Sequence, residues 1–430
     1  MKKDRRNFLK FTSLASLTIG SGITKTLAAE LAISNSKTSD GATDPNFDEK
    51  HLSIIGLYGE WASSLTEKKL PPLSYRRKEF SGLDAWRKIA RTRVIERMGI
   101  PAIGDTPQVK INKQYEYDGL HIEELTWQLP YGRPTEAILL KPLGQSKPLP
   151  GVLAFHDHGG NKYFGARKIT RTSDNQHPLM KTHQQEYYEG LAWANEIAKR
   201  GFVVLVPDAF TFASRRVMLQ DVPQDMRQGL NDEDAENPDN IEAYNKWAGQ
   251  HEHIMAKSLL CAGTTWPGVF FAEDQKALDI LCARKDVDAN RVGCGGLSGG
   301  GLRTVMMGGI DPRIKCAVCI GFMSTWKDFL INKSFTHTWM LYVPILPKEL
   351  DFPEILGLRV PLPTLVLNDT DDFLYTLPEM NEADKILGEV YKKAGAVDRY
   401  KCSFYSGPHK FDAKMQAEAF EWLERWLEGQ

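Results

Sequence analysis

The sequence has 430 residues, which is enough for one large domain with additions or for two domains. Its hydrophobic content of 42% and charged content of 25% are ordinary for a soluble globular protein, and its formal net charge of −1 gives no reason to expect nucleic acid or an anionic membrane as a partner. Past the N-terminus, no run of about 18 apolar residues predicts a transmembrane helix.

The N-terminus has the features of an export signal. An uncharged run over residues 11–24 follows a basic head that contains Lys2, Lys3, Arg5, Arg6 and Lys10. These fourteen residues are too few to span a bilayer but suit the core of a signal peptide. Residues 5–10, Arg-Arg-Asn-Phe-Leu-Lys, resemble the twin-arginine export signal, with Asp4 where Ser or Thr is commoner. We therefore predict a twin-arginine-type signal peptide over residues 1–28; the alternative is a signal anchor that is never cut.

Removal of this signal would leave a mildly acidic, exported protein. Cleavage after Ala28, with Ala29 as the alternative, takes away six basic residues and one acidic residue, so the net charge changes from −1 to −6. The sequence thus predicts a periplasmic or extracellular location, the twin-arginine export machinery as a partner, and no stable membrane insertion after processing. Because such a protein folds before export, in a reducing compartment, most of the six cysteines are expected to be free thiols.

Two segments precede the main domain. Residues 29–46 are rich in Ser, Thr, Asp, Gly and Asn, which predicts a disordered linker. Residues 47–107 show helical patterns, the clearest over Leu83–Met98, which ends at Gly99. We interpret residues 47–107 as an N-terminal helical extension on a catalytic domain over residues 108–430.

The remaining sequence alternates short apolar strands with helices. Segments 108–127 and 135–140 are typical of an antiparallel strand pair. Buried strands are predicted at 151–155, 202–208, 314–321, 364–367 and 400–405, and helices at 186–199, 269–284, 380–394 and 411–427. This order predicts an α/β fold with a mainly parallel sheet and helices on both faces. The polar stretch 211–260 carries an acidic cluster that we interpret as a solvated face, not a metal site: Asp232, Glu233, Asp234, Glu236 and Asp239.

Residues 292–307 are typical of a strand, a glycine-rich turn and the start of a helix. Gly296, Ser298 and Gly300 satisfy the G-x-S-x-G pattern of a nucleophile elbow. Such a turn needs small neighbours, because a Cβ there would strike the adjoining strand or helix, and it puts the following N–H groups at a helix N-terminus. The alternatives are a turn with a solvent-facing serine and a phosphate loop, and the latter needs Gly-Lys-Ser/Thr, which is absent from this stretch.

An activated serine needs a base and a carboxylate that holds the base. One known chain order is Ser, Asp/Glu, His, with the last two placed after later strands. Asp369, Asp371 and Asp372 follow the strand 364–367, and His409 follows the last strand. We assign the orienting role to Asp372, because it lies five residues beyond its strand, where the loop returns toward the histidine. Asp371 is the second choice and Asp369 the third. The non-catalytic alternative is that residues 369–372 form a solvated turn and that His409 is a loop histidine packed on the last helix.

The strand 151–155 ends in His156-Asp157-His158-Gly159-Gly160, where an oxyanion donor is expected. We predict that the His158 N–H is this donor, paired with the Gly299 N–H, and Gly160 is the alternative. The H-x-H spacing also fits a metal site, but a zinc hydrolase needs a third ligand, and we predict no metal and no cofactor. The similar stretch at 251–253, His-Glu-His, is interpreted as surface.

Together these motifs resemble the α/β-hydrolase superfamily, and most of all its dienelactone hydrolase and acetyl xylan esterase-like branch. The residues that carry the resemblance are 156–160, 295–304, Asp372 and His409, and it covers residues 108–430. Members of that branch are often exported esterases that remove acetyl or related acyl groups from plant polysaccharides. The resemblance implies an α/β-hydrolase fold with insertions near the active site, and ester hydrolysis through an acyl-enzyme. The chain departs from the commoner His-Gly in having His156-Asp157 after the strand.

The sequence therefore predicts an exported serine esterase with a small-molecule or polysaccharide ester as substrate. The alternatives are a peptidase or a lactone or thioester hydrolase on the same fold, and a catalytically silent binding protein, which the intact Ser/Asp/His order disfavours. An aromatic insertion at 322–361 leaves the sheet at the edge where α/β folds bind ligands. We predict that it lines the substrate cleft, with Trp326 and Trp339 stacking on sugar, although such residues more often pack beneath an insertion.

Overall fold

The computed structural model describes residues 53–66 and 70–428 of the chain. The predicted signal peptide (1–28) and linker (29–46) lie outside these residues. The N-terminal part contains two helices, α1 (Tyr58–Ser64) and α2 (Leu83–Met98). One face of α2 is buried, because its apolar residues recur every four positions: Trp86, Ala90, Val94 and Met98. The helix ends at Gly99, whose φ of 59° is the left-handed conformation that glycine adopts readily.

Nine strands in the described residues form one sheet in the order β1-β2-β3-β5-β4-β6-β7-β8-β9. Their bounds are Val109–Tyr117 (β1), Leu120–Trp127 (β2), Thr135–Pro142 (β3), Leu149–Phe155 (β4), Val203–Pro207 (β5), Val287–Leu297 (β6), Ile314–Ile320 (β7), Thr364–Asp369 (β8) and Tyr400–Tyr405 (β9). The pairs β1–β2, β2–β3 and β3–β5 are antiparallel, and every other neighbouring pair is parallel. The predicted mainly parallel sheet is confirmed.

The segment 108–127 differs from its prediction as one half of a strand pair. It is itself a hairpin, β1 and β2, joined at Asp118-Gly119. Both turn residues have positive φ, 52° and 75°, as two-residue hairpin turns require. An Asp-Gly dipeptide between alternating segments is a strong hairpin signal, so the sequence carried this information.

Helices cover both faces of the sheet. Beyond α2 they are Pro178–Tyr188 (α3), Trp193–Lys199 (α4), Pro238–Cys261 (α5), Trp266–Cys282 (α6), Gly299–Ile310 (α7), Trp326–Ile331 (α8), Phe352–Gly357 (α9), Leu377–Lys393 (α10) and Ala413–Leu427 (α11). Along β4, Leu153 and Phe155 join one apolar cluster with α6, α7 and α10. The alternate residues Val152 and Ala154 join a second cluster with α4 and α11. Since successive side chains of a strand point to opposite faces, the sheet is buried on both sides.

The polar stretch 211–260 contains more order than its composition suggested. Asn237 accepts hydrogen bonds from the first N–H groups of α5, a helix of 24 residues. Ile241, Tyr244, Trp247 and Glu252 are buried along one face of this helix. None of the helices in the described part of the chain is long and apolar enough to cross a membrane.

Because neighbouring parallel strands end at the same edge of a sheet, the topology gathers the candidate residues there. His156 follows β4, Ser298 follows β6, Gly321 follows β7, Asp372 comes just after β8, and His409 follows β9. The carboxyl edge of the parallel strands is where α/β folds place their ligand sites.

Candidate active site

Ser298 occupies a strained turn between β6 and α7. Its backbone angles are φ 58° and ψ −119°, which a residue with a side chain seldom adopts. The flanking glycines are required by a close approach to β4, since a Cβ at either Gly296 or Gly300 would lie 2.3 Å from the carbonyl oxygen of Phe155. The Ser298 N–H donates to the oxygen of Ile320, 2.9 Å away, and so ties the turn to β7. The turn therefore has the geometry that a nucleophile elbow demands.

The three aspartates after β8 have three different environments. Asp372 Oδ2 lies 2.6 Å from His409 Nδ1, and its other oxygen accepts the Leu374 N–H at 2.9 Å. Asp371 is exposed and instead ties two loops together, because its carboxylate accepts the Gly407 N–H at 2.9 Å. The structure thus brings Asp372, the first choice from the sequence, to the histidine.

Asp369 is close to the same pair but has a different hydrogen-bond partner. It accepts the Lys410 N–H at 3.0 Å, and its second oxygen is buried without a partner among the described residues. Burial raises the pKa of Asp369 to about 7, helped by the nearby Asp372, although Lys410 and His409 act in the opposite direction. The carboxylate of Asp369 is therefore bonded to the loop backbone, whereas the carboxylate on His409 is that of Asp372.

His409 lies over the end of β7, beside the turn that carries Ser298. A Cβ on Gly321 would be 2.8 Å from His409 Cε1, so only glycine leaves room for the ring. Leu297 pairs with Ile320, which makes Ser298 and Gly321 the next residues on neighbouring strands. The ring nitrogen Nε2 is buried and has no hydrogen-bond partner in the described chain. Burial by itself would lower the pKa of His409, but the charge and hydrogen bond of Asp372 outweigh it and raise the pKa above its ordinary value.

The predicted oxyanion donors lie against each other. A Cβ at Gly299 would be 3.0 Å from the backbone nitrogen of His158. Gly299 is the first residue of α7, where helix geometry leaves the N–H without an acceptor inside the helix. The alternative donor, Gly160, is occupied, since its N–H donates to His158 Nδ1 at 3.0 Å.

Neither histidine of the H-x-H stretch has a free nitrogen for a metal. His156 contacts the oxygen of Asp157 through Nδ1 and the Ala209 N–H through Nε2. The Gly160 N–H donates to Nδ1 of His158, and Nε2 of His158 lies 3.0 Å from Glu252 Oε1.

A second group of possible metal ligands in the described chain is Asp369, Asp372 and His409, whose ligand atoms lie within 4.8 Å of one another. Asp372 and His409 already bind each other.

Glu252 was missed by the sequence analysis, which interpreted residues 251–253 as surface. The carboxylate is buried and also contacts Lys162 Nζ at 2.9 Å. Although burial opposes ionisation, His158 and Lys162 lower the pKa of Glu252 to about 2, so it stays charged. The available signal was the four-residue spacing of Tyr244, Ala248 and Glu252, which puts the glutamate on the buried face of α5.

Asp157, the departure from the usual motif, is also buried and bonded. Its Oδ2 accepts the hydroxyl of Tyr188 and lies 3.1 Å from His183 Nε2. Burial alone would raise the pKa of Asp157, but His183 and Lys168 lower it well below its ordinary value. No feature of the sequence predicted these partners, because Lys168, His183 and Tyr188 reach Asp157 only through the fold.

The two tryptophans of the insertion have different positions. Trp326 is only 7% exposed, it packs against Phe329 and Phe352, and its indole N–H donates to the oxygen of Leu350. This position corrects the predicted sugar-stacking role of Trp326, because a ring that is buried in the core offers no open surface to a sugar. Trp339 is 41% exposed and keeps a free surface.

Comparisons with known proteins agree with the architecture. No protein-family model matches the chain. Among curated proteins, "Putative hydrolase YtaP" of Bacillus subtilis is 26% identical over 309 residues, covering 71% of this chain and 88% of that protein. Among solved structures, a "putative acetyl xylan esterase" from Bacteroides fragilis is similar with a TM-score of 0.60 at 18% identity, covering 82% of this chain and 83% of that one. A glucuronoyl esterase from Solibacter usitatus is similar with a TM-score of 0.54 at 13% identity, covering 84% and 99%.

These structural likenesses concern the fold. The chain has the α/β-hydrolase fold, as its motifs predicted.

The contact between Asp372 and His409 can be tested through the titration of His409. Asp372→Asn keeps the shape of the side chain and removes its charge. We expect the pKa of His409 to lie above about 6.5 in the wild type and below it in the variant, because burial then acts without the opposing carboxylate. The measurement is an NMR pH titration of selectively labelled histidine, with His409→Gln to assign the signal.

Asp371→Asn is the matched control, since this exposed carboxylate bonds a loop N–H and not the histidine. The assignment of Asp372 is wrong if the control shifts the His409 titration and Asp372→Asn does not.

Proposed function

We propose that this α/β-hydrolase-fold protein is a serine esterase that hydrolyses carboxylic esters, acetyl or related acyl groups on plant polysaccharide, through an acyl-enzyme. The observation that carries the proposal is the 2.6 Å contact between Asp372 and His409 at the edge where Ser298 stands in its strained turn. Nucleophile, base and orienting carboxylate are the three groups that acyl transfer through a serine requires.

In the first half-reaction, His409 Nε2 takes the proton of the Ser298 hydroxyl as its oxygen attacks the ester carbonyl carbon. The carbonyl oxygen becomes an oxyanion, and the N–H groups of His158 and Gly299 donate hydrogen bonds to it. The intermediate collapses as His409 gives its proton to the leaving alcohol, which produces the acyl-enzyme. Asp372 holds the ring and stabilises the imidazolium during both transfers.

In the second half-reaction, a water molecule loses a proton to His409 and attacks the acyl carbonyl. The same two N–H groups stabilise the second oxyanion. Collapse returns the proton to Ser298 and releases the carboxylic acid. Neither step needs a metal ion or another cofactor, since every proton and charge is handled by a residue of the chain.

The names of the structural neighbours support a carbohydrate ester as substrate, since one is described as an acetyl xylan esterase and another as a glucuronoyl esterase. The export signal predicted over residues 1–28 supports the same substrate, because an exported enzyme would encounter plant polysaccharides outside the cytoplasm. The accessible Trp339 offers an aromatic face for sugar stacking at the predicted cleft. The proposed location is periplasmic or extracellular.

Removal of the nucleophile tests the reaction. Ser298→Ala should abolish hydrolysis of both p-nitrophenyl acetate and acetylated xylan, because losing the nucleophile typically costs on the order of 10⁶ in kcat. Release of p-nitrophenol and of acetate are the two measurements, each repeated after chelator treatment, which should change nothing. Ser406→Ala, an exposed serine in the loop before His409, should retain wild-type activity. A folded Ser298→Ala protein that keeps more than a few per cent of activity would contradict the proposal.

The role of the insertion is tested by a KM comparison. Trp339→Ala should raise KM for acetylated xylan about 3- to 10-fold, which corresponds to the loss of one stacking contact, and leave kcat/KM for p-nitrophenyl acetate unchanged. Trp326→Phe should instead lower thermal stability without a selective effect on the polysaccharide, since its ring is packed in the core. Equal losses on both substrates in Trp339→Ala would mean that this ring is structural.

The export prediction is tested by the twin arginines. Arg5→Lys with Arg6→Lys should retain the full chain in the cytoplasm, whereas Lys2→Arg with Lys3→Arg should not, because the receptor reads the arginine pair and not charge alone. Cell fractionation followed by immunoblotting measures the distribution. Export of the Arg5→Lys, Arg6→Lys protein at the wild-type level would overturn the twin-arginine assignment.

A further inference from the structure

Lys168 is a buried cation whose contacts are peptide oxygens. The side chain is 0% exposed, and its Nζ lies 2.8 Å from the carbonyl oxygen of Asp157 and 2.8 Å from that of His158. The ammonium also lies 4.8 Å from the centre of the Phe212 ring. The carboxylate of Asp157 is farther away, with Oδ1 at 3.8 Å. Burying an ammonium group costs free energy, and here the buried ammonium binds two adjacent backbone carbonyls.

The first of these carbonyls belongs to the peptide that carries the predicted oxyanion donor. Its oxygen also contacts His156 Nδ1 at 2.9 Å. This nitrogen is the protonated one, because the Ala209 N–H donates to His156 Nε2. The Asp157 oxygen therefore accepts two hydrogen bonds, one from Lys168 and one from His156, and its direction is fixed.

Peptide planarity transmits this direction to the N–H of His158. In a planar trans peptide the C=O and N–H bonds point in opposite directions. With the Asp157 oxygen held by Lys168 and His156, the His158 N–H is turned away from both. The His158 nitrogen lies beside Gly299, 3.0 Å from where a Cβ would be, and its N–H donates to no acceptor in residues 53–66 and 70–428.

The next carbonyl completes the constraint. The oxygen of His158 accepts the Asn161 N–H at 3.0 Å in addition to Lys168. The ring of His158 accepts the Gly160 N–H and contacts Glu252, so the residue is held at its carbonyl and at its side chain. Among the described residues, the backbone N–H of His158, which lies beside Gly299 of the Ser298 turn, is the one polar group of His158 that has no partner.

We propose that Lys168 is a positioning residue for the oxyanion hole: it fixes and polarises the Asp157–His158 peptide so that the His158 N–H is aimed at the developing oxyanion. The inference rests on the proposed esterase function. An ammonium on the carbonyl oxygen draws electron density toward that oxygen, which makes the N–H of the same peptide a stronger donor. Preorganised donors act on the transition state more than on the bound ester, because the charge develops only there.

The same arrangement explains Asp157, where related motifs have glycine. The carboxylate balances the buried charge of Lys168, and Tyr188 and His183 hold it in place. Without an acidic residue nearby, the ammonium would be an isolated charge in the interior. Asp157 and Lys168 therefore act together: the carboxylate keeps the lysine charged, and the lysine orients the Asp157–His158 peptide.

The test is the kinetics of Lys168→Met, which keeps the length of the side chain and removes the ammonium. We expect kcat for p-nitrophenyl acetate to fall about 10²- to 10³-fold, as when one oxyanion donor is lost, with KM changed less than about threefold. A trifluoromethyl ketone forms a tetrahedral oxyanion on Ser298, so its affinity should fall by the same factor as kcat/KM. Lys168→Arg should recover part of both losses, and Lys181→Met, an exposed lysine of α3, should resemble the wild type.

Asp157→Asn with Lys168→Met is the second variant, because it removes both buried charges together and avoids an unpaired carboxylate. It should show the same loss of kcat and of inhibitor affinity. A crystal structure of the wild-type trifluoromethyl ketone adduct gives an independent measurement, in which the adduct oxygen should lie within about 3 Å of the His158 nitrogen.

The inference is overturned if either folded variant keeps kcat within threefold of the wild type, if inhibitor affinity is unchanged while kcat falls, or if the adduct oxygen does not contact His158. These outcomes leave the esterase proposal intact, because they require an active wild type. A wild type that neither hydrolyses the ester nor binds the ketone would overturn the proposed function, and this inference with it.

Discussion

The close approach of β6 and α7 to the end of β4 is the constraint on which the candidate site depends. Gly296 and Gly300 pass so near the oxygen of Phe155 that a Cβ at either position would overlap it. This approach holds Ser298 in its strained backbone conformation, with φ 58° and ψ −119°. It also brings Gly299 against His158, so Ser298 and both predicted oxyanion donors are placed by one packing contact. The strain at Ser298 persists because strands on both sides of the turn over-determine it.

Buried charged side chains surround this contact, and each of those named here lies next to a side chain of opposite charge. Lys168 faces Asp157, and Lys162 shares Glu252 with His158. On the other side of the elbow, Arg303 of α7 forms two hydrogen bonds with Asp274 of α6, at 2.9 and 2.5 Å. Pairs of this kind contribute little net stability, but a single unpaired partner is strongly destabilising. They hold the peptide and helix of the site in one arrangement, since any displacement would separate opposite charges in a medium of low polarity.

Electrostatic environment also separates residues of one chemical type. Asp369, Asp371 and Asp372 lie within four positions of the sequence. Burial raises the pKa of Asp369 to about 7, the exposed Asp371 accepts the Gly407 N–H of another loop, and Asp372 is the carboxylate that contacts His409. Acid and base roles in enzyme sites arise in this way, from surroundings that push like groups apart.

The sequence by itself determined the fold class and the chain order of the candidate catalytic residues, because both depend on local patterns. Apolar runs of strand length alternating with helical periodicity specify a buried parallel sheet, and the small residues around Ser298 specify its turn. The choice of Asp372 over its neighbours also followed from its position after β8. That His158 and His409 lie at the same edge of the sheet also followed from the sequence, because each comes after a predicted strand and neighbouring parallel strands end at one edge.

The tertiary structure alone decided the partners that come from distant segments. Asp157 and Lys168 are eleven positions apart, and Glu252 reaches His158 across 94 positions, so no spacing rule connects them. Whether a tryptophan of the insertion is covered or open depended on the packing of Phe329 and Phe352 around Trp326. Periodicity reports which face of an element is buried, whereas hydrogen bonds and charge pairs between elements depend on side-chain directions that only the packed fold defines.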